Sequence, residues 1–110
     1  MRPAKLHVPR NISEILDILG SMNISAPKFL DRTGYFPYKN LDTEFQRLNE
    51  GLGLNRTALG EDRYRELARM SDQMRALFEA DPDDKTGETL QGCKIIHAME
   101  EILQQARRAS

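Results

Sequence analysis

The chain has little of what would hold a small protein together covalently: its 110 residues include one cysteine, Cys93, and no tryptophan. A single cysteine excludes an intramolecular disulfide and is typical of proteins kept in a reducing cytoplasm. No run approaches the ~20 apolar residues that a membrane-spanning helix requires. No secretory signal is visible either, because Glu14 and Asp17 interrupt the apolar stretch after Asn11. A chain of this length buries roughly two-thirds of its unfolded surface, so we expect one cytoplasmic domain over residues 1–110.

An excess of charge of one sign is missing as well. The chain has 16 basic and 17 acidic residues and a formal net charge of -1. Proteins that bind nucleic acid generally show a basic excess or stripe, because phosphate contacts supply most of their affinity. Charge is nevertheless uneven along the chain: residues 1–10 are basic and residues 79–88 are acidic. The acidic segment holds five carboxylates and one lysine, namely Glu79, Asp81, Asp83, Asp84, Glu88 and Lys85.

No segment alternates apolar and polar residues as a half-buried strand does. Apolar residues instead recur at spacings of three and four, which is typical of helices with one buried face. The clearest faces lie in the last half of the chain, on both sides of a short acidic linker. We therefore predict an all-α fold, a compact bundle of four to five helices with a C-terminal antiparallel helical hairpin. Its elements are an extended arm over 1–10 and helices at about 12–19, 26–32, 41–50, 61–80 and 88–107.

Capping residues and helix breakers set the predicted ends of these helices. Asn11 is placed as an N-cap with Glu14 three residues later, a variant of the capping box. Gly20 suits the end of the first helix, and Gly51 with Gly53 suits the end of the helix over 41–50. In the hairpin, Pro82 is expected to end one helix and Thr86 to cap the next, while Gly92 permits close approach between helices.

Several short strings resemble chemical motifs but lack the context that the chemistry needs. Asp84-Lys-Thr-Gly87 is similar to the phosphorylated-aspartate signature of cation-pumping ATPases, yet it lies between two helices and not after a strand. An EF-hand counted from Asp81 would need glycine at its sixth position and glutamate at its twelfth, and those positions hold Thr86 and Gly92. Cys93 and the two histidines have no metal-ligand spacing. We therefore expect no cofactor, no metal site, no catalytic residue and no enzymatic activity.

The segment 34–40 has an unusual composition, because Tyr35, Phe36 and Tyr38 lie within four positions. Aromatic side chains with a polar tip are favoured in binding surfaces. The alternative is that at least one of these rings closes the end of the bundle. Loops carry function more often than core faces do, and the acidic residues also lie in a connection between helices. We predict a partner-binding surface formed by Tyr35, Phe36, Tyr38, Asp81, Asp83, Asp84 and Glu88.

In size and general character, though in no shared motif, the whole chain resembles small bacterial immunity proteins. Those proteins are compact cytoplasmic domains that neutralise a cognate toxin by covering its active site. The resemblance implies a toxin domain as the partner, often a nuclease whose basic cleft would face residues 79–88. The alternative is a nucleic-acid-associated regulator that uses a basic arm and the helix arginines Arg63, Arg65, Arg69 and Arg75. An incompletely covered helix face would favour a homodimer, and no membrane contact is expected.

Overall fold

The computed structural model describes residues 8–26, 41–81 and 83–109. Within these ranges the chain forms five helices and no strand, which confirms the all-α prediction. The helices are α1 (Ile12–Ser25), α2 (Leu41–Leu54), α3 (Arg56–Leu59), α4 (Glu61–Ala80) and α5 (Glu88–Ala109). The aromatic segment 34–40, most of the arm and all but Ala26 of the predicted helix 26–32 lie outside the described residues. None of the described helices has the length and apolar character needed to cross a membrane.

The four long helices surround one apolar core. Contacts join α1 to α2, α2 to α4, α4 to α5 and α5 back to α1, so these helices form a closed ring, and the short α3 packs against α2, α4 and α5. The predicted faces of all four helices point into this core. Its fully buried side chains include Ile15, Leu19, Met22, Phe45, Leu48, Leu52, Leu67, Met74, Phe78, Ile96, Met99 and Leu103.

Helix α1 begins as the sequence predicts and ends later than predicted. The Asn11 side chain accepts a hydrogen bond of 2.9 Å from the backbone N–H of Glu14, which confirms Asn11 as the N-cap. The predicted end at Gly20 is wrong, because the helix continues to Ser25. Met22, one turn beyond Ile18 and Leu19, is fully buried. Burial of this extra turn outweighs the cost of about 1 kcal/mol for a glycine inside a helix.

Helix α2 likewise runs through the two glycines that were expected to end it. Gly51 is buried because Pro9 lies directly against it: a Cβ atom at this position would be 2.8 Å from Pro9 Cγ. Asn55 ends the helix instead, since its side-chain amide donates to the carbonyl of Gly51 at 2.7 Å and to that of Pro9 at 3.2 Å. Gly51 therefore allows residues 8–10 to lie close to α2, and Asn55 holds them there.

Helices α4 and α5 form the predicted hairpin, in which the linker 81–87 reverses the chain and Phe78 faces Gly92. The side of the hairpin that faces α1 and α2 contributes Leu67, Met74, Ile96 and Met99 to the core. Its opposite side faces solvent. The hairpin therefore presents two features outside the core, the linker at one end and a long outer face.

Candidate partner-binding site

Asp81 organises the linker between α4 and α5. Its side chain is only 2% exposed, and one carboxylate oxygen accepts backbone N–H bonds from Lys85 at 2.7 Å and Thr86 at 3.1 Å. The other oxygen accepts the N–H of Thr89 at 3.1 Å, while the Asp81 carbonyl accepts the Thr89 hydroxyl at 3.0 Å. The Thr89 N–H lies in the first turn of α5 and has no partner inside the helix, so Asp81 caps α5 from eight residues away. The bonds from Lys85 and Thr86 hold the linker itself.

This arrangement corrects two expectations from the sequence. Asp81 was predicted to be part of the partner-binding surface, but it is buried and its carboxylate oxygens accept N–H bonds from Lys85, Thr86 and Thr89. Thr86 was expected to cap α5, but its hydroxyl donates to the carboxylate of Glu88. A carboxylate accepts two or three N–H bonds where a hydroxyl accepts fewer, and it carries a negative charge that suits a helix N-terminus. The N-terminus of α5 is therefore capped by Asp81, eight residues before Thr89, and not by the nearby Thr86.

The pKa of Asp81 reflects the same contacts. Burial by itself raises the pKa of this carboxyl, but the backbone N–H bonds from Lys85, Thr89 and Thr86 outweigh burial and lower the pKa to about 2. Hydrogen bonds to the ionised form favour that form. Asp81 is therefore charged at neutral pH and stabilises the linker as a carboxylate.

The ordered linker holds Asp83 and Asp84 in solvent and Glu88 partly so, and we name these three residues the acidic turn. Asp83 and Asp84 are exposed, and Glu88 is half-exposed in the first turn of α5. Asp84 has a positive φ of 55°, a left-handed conformation that aspartate tolerates better than most residues. Its N–H donates to the Asp81 carbonyl at 3.2 Å. The linker therefore brings together three predicted site residues, Asp83, Asp84 and Glu88. The fourth acidic residue of the predicted site, Asp81, is buried and holds the linker in this conformation.

An apolar side chain that the sequence analysis did not single out lies beside the acidic turn. Leu90, in the first turn of α5, is 61% exposed. It follows Glu88 by two residues and precedes the half-buried Cys93 by three, and the charge of Asp84 reaches the Cys93 thiol. Leu90 falls outside the spacing of Gly92, Ile96 and Met99, and this departure was a signal available in the sequence.

The structure places the remaining candidates away from this turn or outside the described residues. Tyr35, Phe36 and Tyr38 lie in the range that is not described, so their predicted role remains a prediction. The His97 side chain is 65% exposed, as expected, and its Nδ1 lies 3.1 Å from the carboxylate of Glu100. No group of three histidine, cysteine or acidic residues is positioned to hold a metal ion within residues 8–26, 41–81 and 83–109.

The basic positions of α4 are largely neutralised by carboxylates. Arg69 pairs with Glu66, and Arg75 pairs with Glu79 at 2.8 Å and with Asp42 of α2. Glu61 at the start of α4 pairs with Arg56 and, at 3.6 Å, with Arg65. These hydrogen-bonded ion pairs raise the pKa of Arg56, Arg69 and Arg75. The arginines therefore form alternating charge along a helix and not a continuous basic stripe.

A small polar pocket between α1 and α2 also has a structural explanation. It has a volume of about 250 Å³ and is lined by Glu14, Asp17, Ile18, Ser21, Glu44 and Arg47. Glu44 is buried, and its carboxylate pairs with Arg47 at 3.2 Å. A buried carboxylate is costly unless it is paired, and the guanidinium of Arg47 supplies the opposite charge. Both residues belong to α2, so this ion pair neutralises the buried carboxylate at the wall of the pocket.

The acidic turn differs from these features because its exposed carboxylates are ordered by a residue that is itself buried. Hydrogen bonds from three backbone N–H groups fix its conformation before any partner is present. Leu90 adds an exposed apolar group next to it. Comparison of this chain with protein-family models, with curated protein sequences and with solved structures finds no match.

Proposed function

We propose that this protein is a small cytoplasmic protein-binding domain and, most concretely, an immunity protein that neutralises a toxin by direct binding. The observation that carries the proposal is the acidic turn, held in one conformation by buried Asp81. A surface ordered before binding loses less conformational entropy when a partner docks. The turn and Leu90 together offer charge and apolar contact at one end of the hairpin.

The chemistry of the turn favours a partner with a basic surface. Asp83 and Asp84 present negative charge, so the complementary surface is basic, as the active-site cleft of a nuclease toxin is. Long-range attraction between such surfaces raises the rate of association, more so at low salt. Leu90 supplies the desolvated contact that slows dissociation. The partner therefore combines arginine or lysine side chains with an apolar pocket.

Tyr35, Phe36 and Tyr38 belong to the same proposal as further contacts. Aromatic anchors are enriched among the residues that dominate binding energy. Tyr38→Ala is expected to weaken binding by about 2 kcal/mol or more if it is such an anchor. The binding assay described below measures the effect of Tyr38→Ala separately from that of substitutions in the acidic turn.

Nucleic-acid binding is the less supported alternative. The ion pairs of Arg69 and Arg75 place carboxylates beside the arginines that would contact phosphates. A phosphate backbone would meet alternating charges on α4 and would have to displace Glu66 and Glu79. Fluorescence anisotropy with a labelled DNA duplex tests this alternative, and salt-dependent binding would support it over protein binding.

The proposal is tested by co-expression with the product of a neighbouring toxin gene. Wild-type protein should restore growth, and biolayer interferometry should detect the complex. Asp83→Lys combined with Asp84→Asn should slow association about ten-fold at low salt, with a smaller effect at high salt. Asparagine is chosen at position 84 because it tolerates the positive φ there.

The matched control changes the same amount of charge elsewhere. Asp17→Lys combined with Glu50→Gln alters exposed residues of α1 and α2 and should leave association unchanged. Leu90→Ala should speed dissociation without slowing association. Equal binding by wild type, the acidic-turn variant and Leu90→Ala would show that this surface does not bind the partner. Binding without growth rescue would reject toxin neutralisation and retain protein binding.

A further inference from the structure

The outer face of the α4–α5 hairpin carries an open groove of about 550 Å³. Six side chains line it: Gln73, Ala76, Leu77, Gln91, Lys94 and Ile95. Leu77 and Ile95 are half-buried at its floor, and Ala76 is exposed on its α4 side. The groove is therefore apolar at the bottom and polar at the rim, and its Gln91 lies one turn after Glu88 of the acidic turn.

The same face continues along α5. Ala98 and Ile102 follow Ile95 at spacings of three and four, so they lie on one side of the helix. Ala98 is exposed and Ile102 is half-buried, and Ala80 extends the α4 side with another small exposed residue. Alanines on both helices leave room for a further helix to approach closely. Among the described residues, the outer face is thus an apolar strip along α5, bordered on α4 by Gln73 and, one turn before it, by the exposed Arg69–Glu66 ion pair.

The face is large enough for a stable interface. Helices of 20 and 22 residues are about 30 Å long at ~1.5 Å per residue. Two helices at ~10 Å separation present a face about 20 Å wide, or roughly 600 Å² before side-chain relief is counted. Standard interfaces bury about 1,200–2,000 Å² in total, or about 600–1,000 Å² per partner, so this face is at the lower limit. Docking of a second helical hairpin would therefore reach the ordinary size range.

Two charges on α5 indicate which partner fits. Neither Lys94 nor Glu101 has an ion-pair partner among the described residues, although both are exposed. Their separation of seven residues is about 10 Å along the helix, too far for them to pair with each other. The described residues three and four positions away from Lys94 and from Glu101 along α5 include no aspartate, glutamate, lysine or arginine. The one ionisable residue among them is His97. In α4, by contrast, Arg69 and Arg75 both have carboxylate partners.

We propose that a second copy of this chain covers the outer face, with the two α5 helices antiparallel across a two-fold axis near Ala98. Lys94 precedes Ala98 by four residues and Glu101 follows it by three. The midpoint of Lys94 and Glu101 lies between His97 and Ala98. A two-fold axis there places Lys94 opposite Glu101 of the partner subunit, and the symmetry repeats the pair. If the two α5 helices were parallel, Lys94 would lie opposite Lys94 of the partner subunit. Repulsion between these like charges therefore favours the antiparallel arrangement.

The apolar groups match in the same register. Ile95 of one protomer lies over the stretch that contains Ile102 of the partner subunit, and Ala98 meets its own copy at the axis. Each α5 then occupies the groove between α4 and α5 of the other protomer. This isologous contact closes on itself and leaves no free copy of the same surface. It is centred on the middle of α5, whereas the proposed toxin contact involves the linker and the first turn of α5.

The experiment measures oligomeric state by sedimentation equilibrium on the purified protein alone, so it does not depend on the proposed function. Wild type should dimerise at micromolar concentrations. Lys94→Glu and Glu101→Lys should each raise the dimer dissociation constant about ten-fold or more, because each creates two like-charge contacts. Ala98→Arg should abolish the dimer by steric conflict at the axis. Asp17→Lys, an exposed change on α1, is the control and should leave the dimer intact.

The decisive sample is an equimolar mixture of Lys94→Glu and Glu101→Lys. One variant carries glutamate at both positions and the other carries lysine at both, so both cross-subunit pairs are attractive only in the heterodimer. Mixing should therefore restore dimerisation to the affinity that each variant alone has lost. The double variant Lys94→Glu/Glu101→Lys should form homodimers again. Circular dichroism melts should show that all variants stay folded. A monomeric wild type, or a dimer indifferent to both charge reversals and to Ala98→Arg, would overturn the proposal.

Discussion

Gly92 of α5 faces the ring of Phe78 of α4 so closely that a Cβ atom at position 92 would lie 2.6 Å from Phe78 Cε1 and 2.7 Å from Cζ. Phe78 is fully buried and packs against Phe45 of α2, with ring centroids 6.4 Å apart. The absence of a side chain at position 92 therefore determines how near the two hairpin helices approach. It also links their spacing to the contact between α4 and α2.

This relationship predicts opposite outcomes for the same substitution at two helical glycines. Gly92→Ala should lower the free energy of unfolding by about 1–3 kcal/mol, because the methyl group overpacks the core against Phe78. Gly20→Ala should raise it by about 0.5–1 kcal/mol, because nothing lies within 4 Å of the new methyl group and alanine favours the helix. Urea unfolding measures both. A neutral Gly92→Ala would show that the hairpin spacing is not set at this position.

Three substitutions on the hairpin test which of its sides is buried. Met74 and Met99 are fully buried, so replacing either with alanine should cost about 2–5 kcal/mol. His97 is exposed beside Glu100, and His97→Ala should change stability by less than about 0.5 kcal/mol. Chemical denaturation of the three variants gives the comparison. A His97→Ala protein less stable than the two methionine variants would contradict the rotation of α5 about its axis.

The depressed pKa of Asp81 predicts how the fold responds to acid. The pKa of Asp81 is about 2 in the folded chain and about 3.9 when unfolded, so the unfolded state binds the proton first. The stabilisation from its carboxylate is therefore fully present above about pH 4 and is lost as the pH falls towards about 2. Asp81→Asn should be less stable than wild type at pH 6, with a difference that shrinks below pH 4.

Unfolding midpoints in urea across this pH range measure the difference between wild type and Asp81→Asn. Other carboxyl groups titrate in both proteins, so their contributions cancel in the comparison. Asp62→Asn, at an exposed residue of α4, is the control for removal of one negative charge. A gap between wild type and Asp81→Asn that is independent of pH would mean that the linker does not require the ionised form of Asp81.

The reactivity of Cys93 reports on the acidic turn. Burial raises the pKa of this thiol, and the negative charge of Asp84 raises it further. The thiolate is the reactive form, so Cys93 should react slowly with a disulfide reagent near neutral pH. Asp84→Asn should lower the pKa of Cys93 and speed the reaction at a given pH, with the effect reduced by salt. An unchanged rate in Asp84→Asn would place Asp84 too far from the thiol to support the described turn.

The candidate site was partly predictable from the sequence. Exposed Asp83 and Asp84 follow from their place in a short polar linker, since such connections lie on the surface. The burial of Asp81 does not follow, because its carboxylate accepts N–H bonds from residues four, five and eight positions later, and these meet only when the linker adopts one particular turn. Leu90 was missed although its position relative to Gly92, Ile96 and Met99 already places it outside the buried face of α5.

For the fold, the sequence predicted correctly the features that depend on residues three or four positions apart. The helical periodicity identified the buried faces of α4 and α5, and Asn11 capped α1 through a contact only three residues long. Helix ends were decided by distant contacts instead. Gly20 does not end α1 because Met22 is buried in the assembled core, and Gly51 does not end α2 because Pro9 packs on it. At these two positions the tertiary burial of neighbouring groups offsets the local cost of glycine, and that burial exists only in the folded chain.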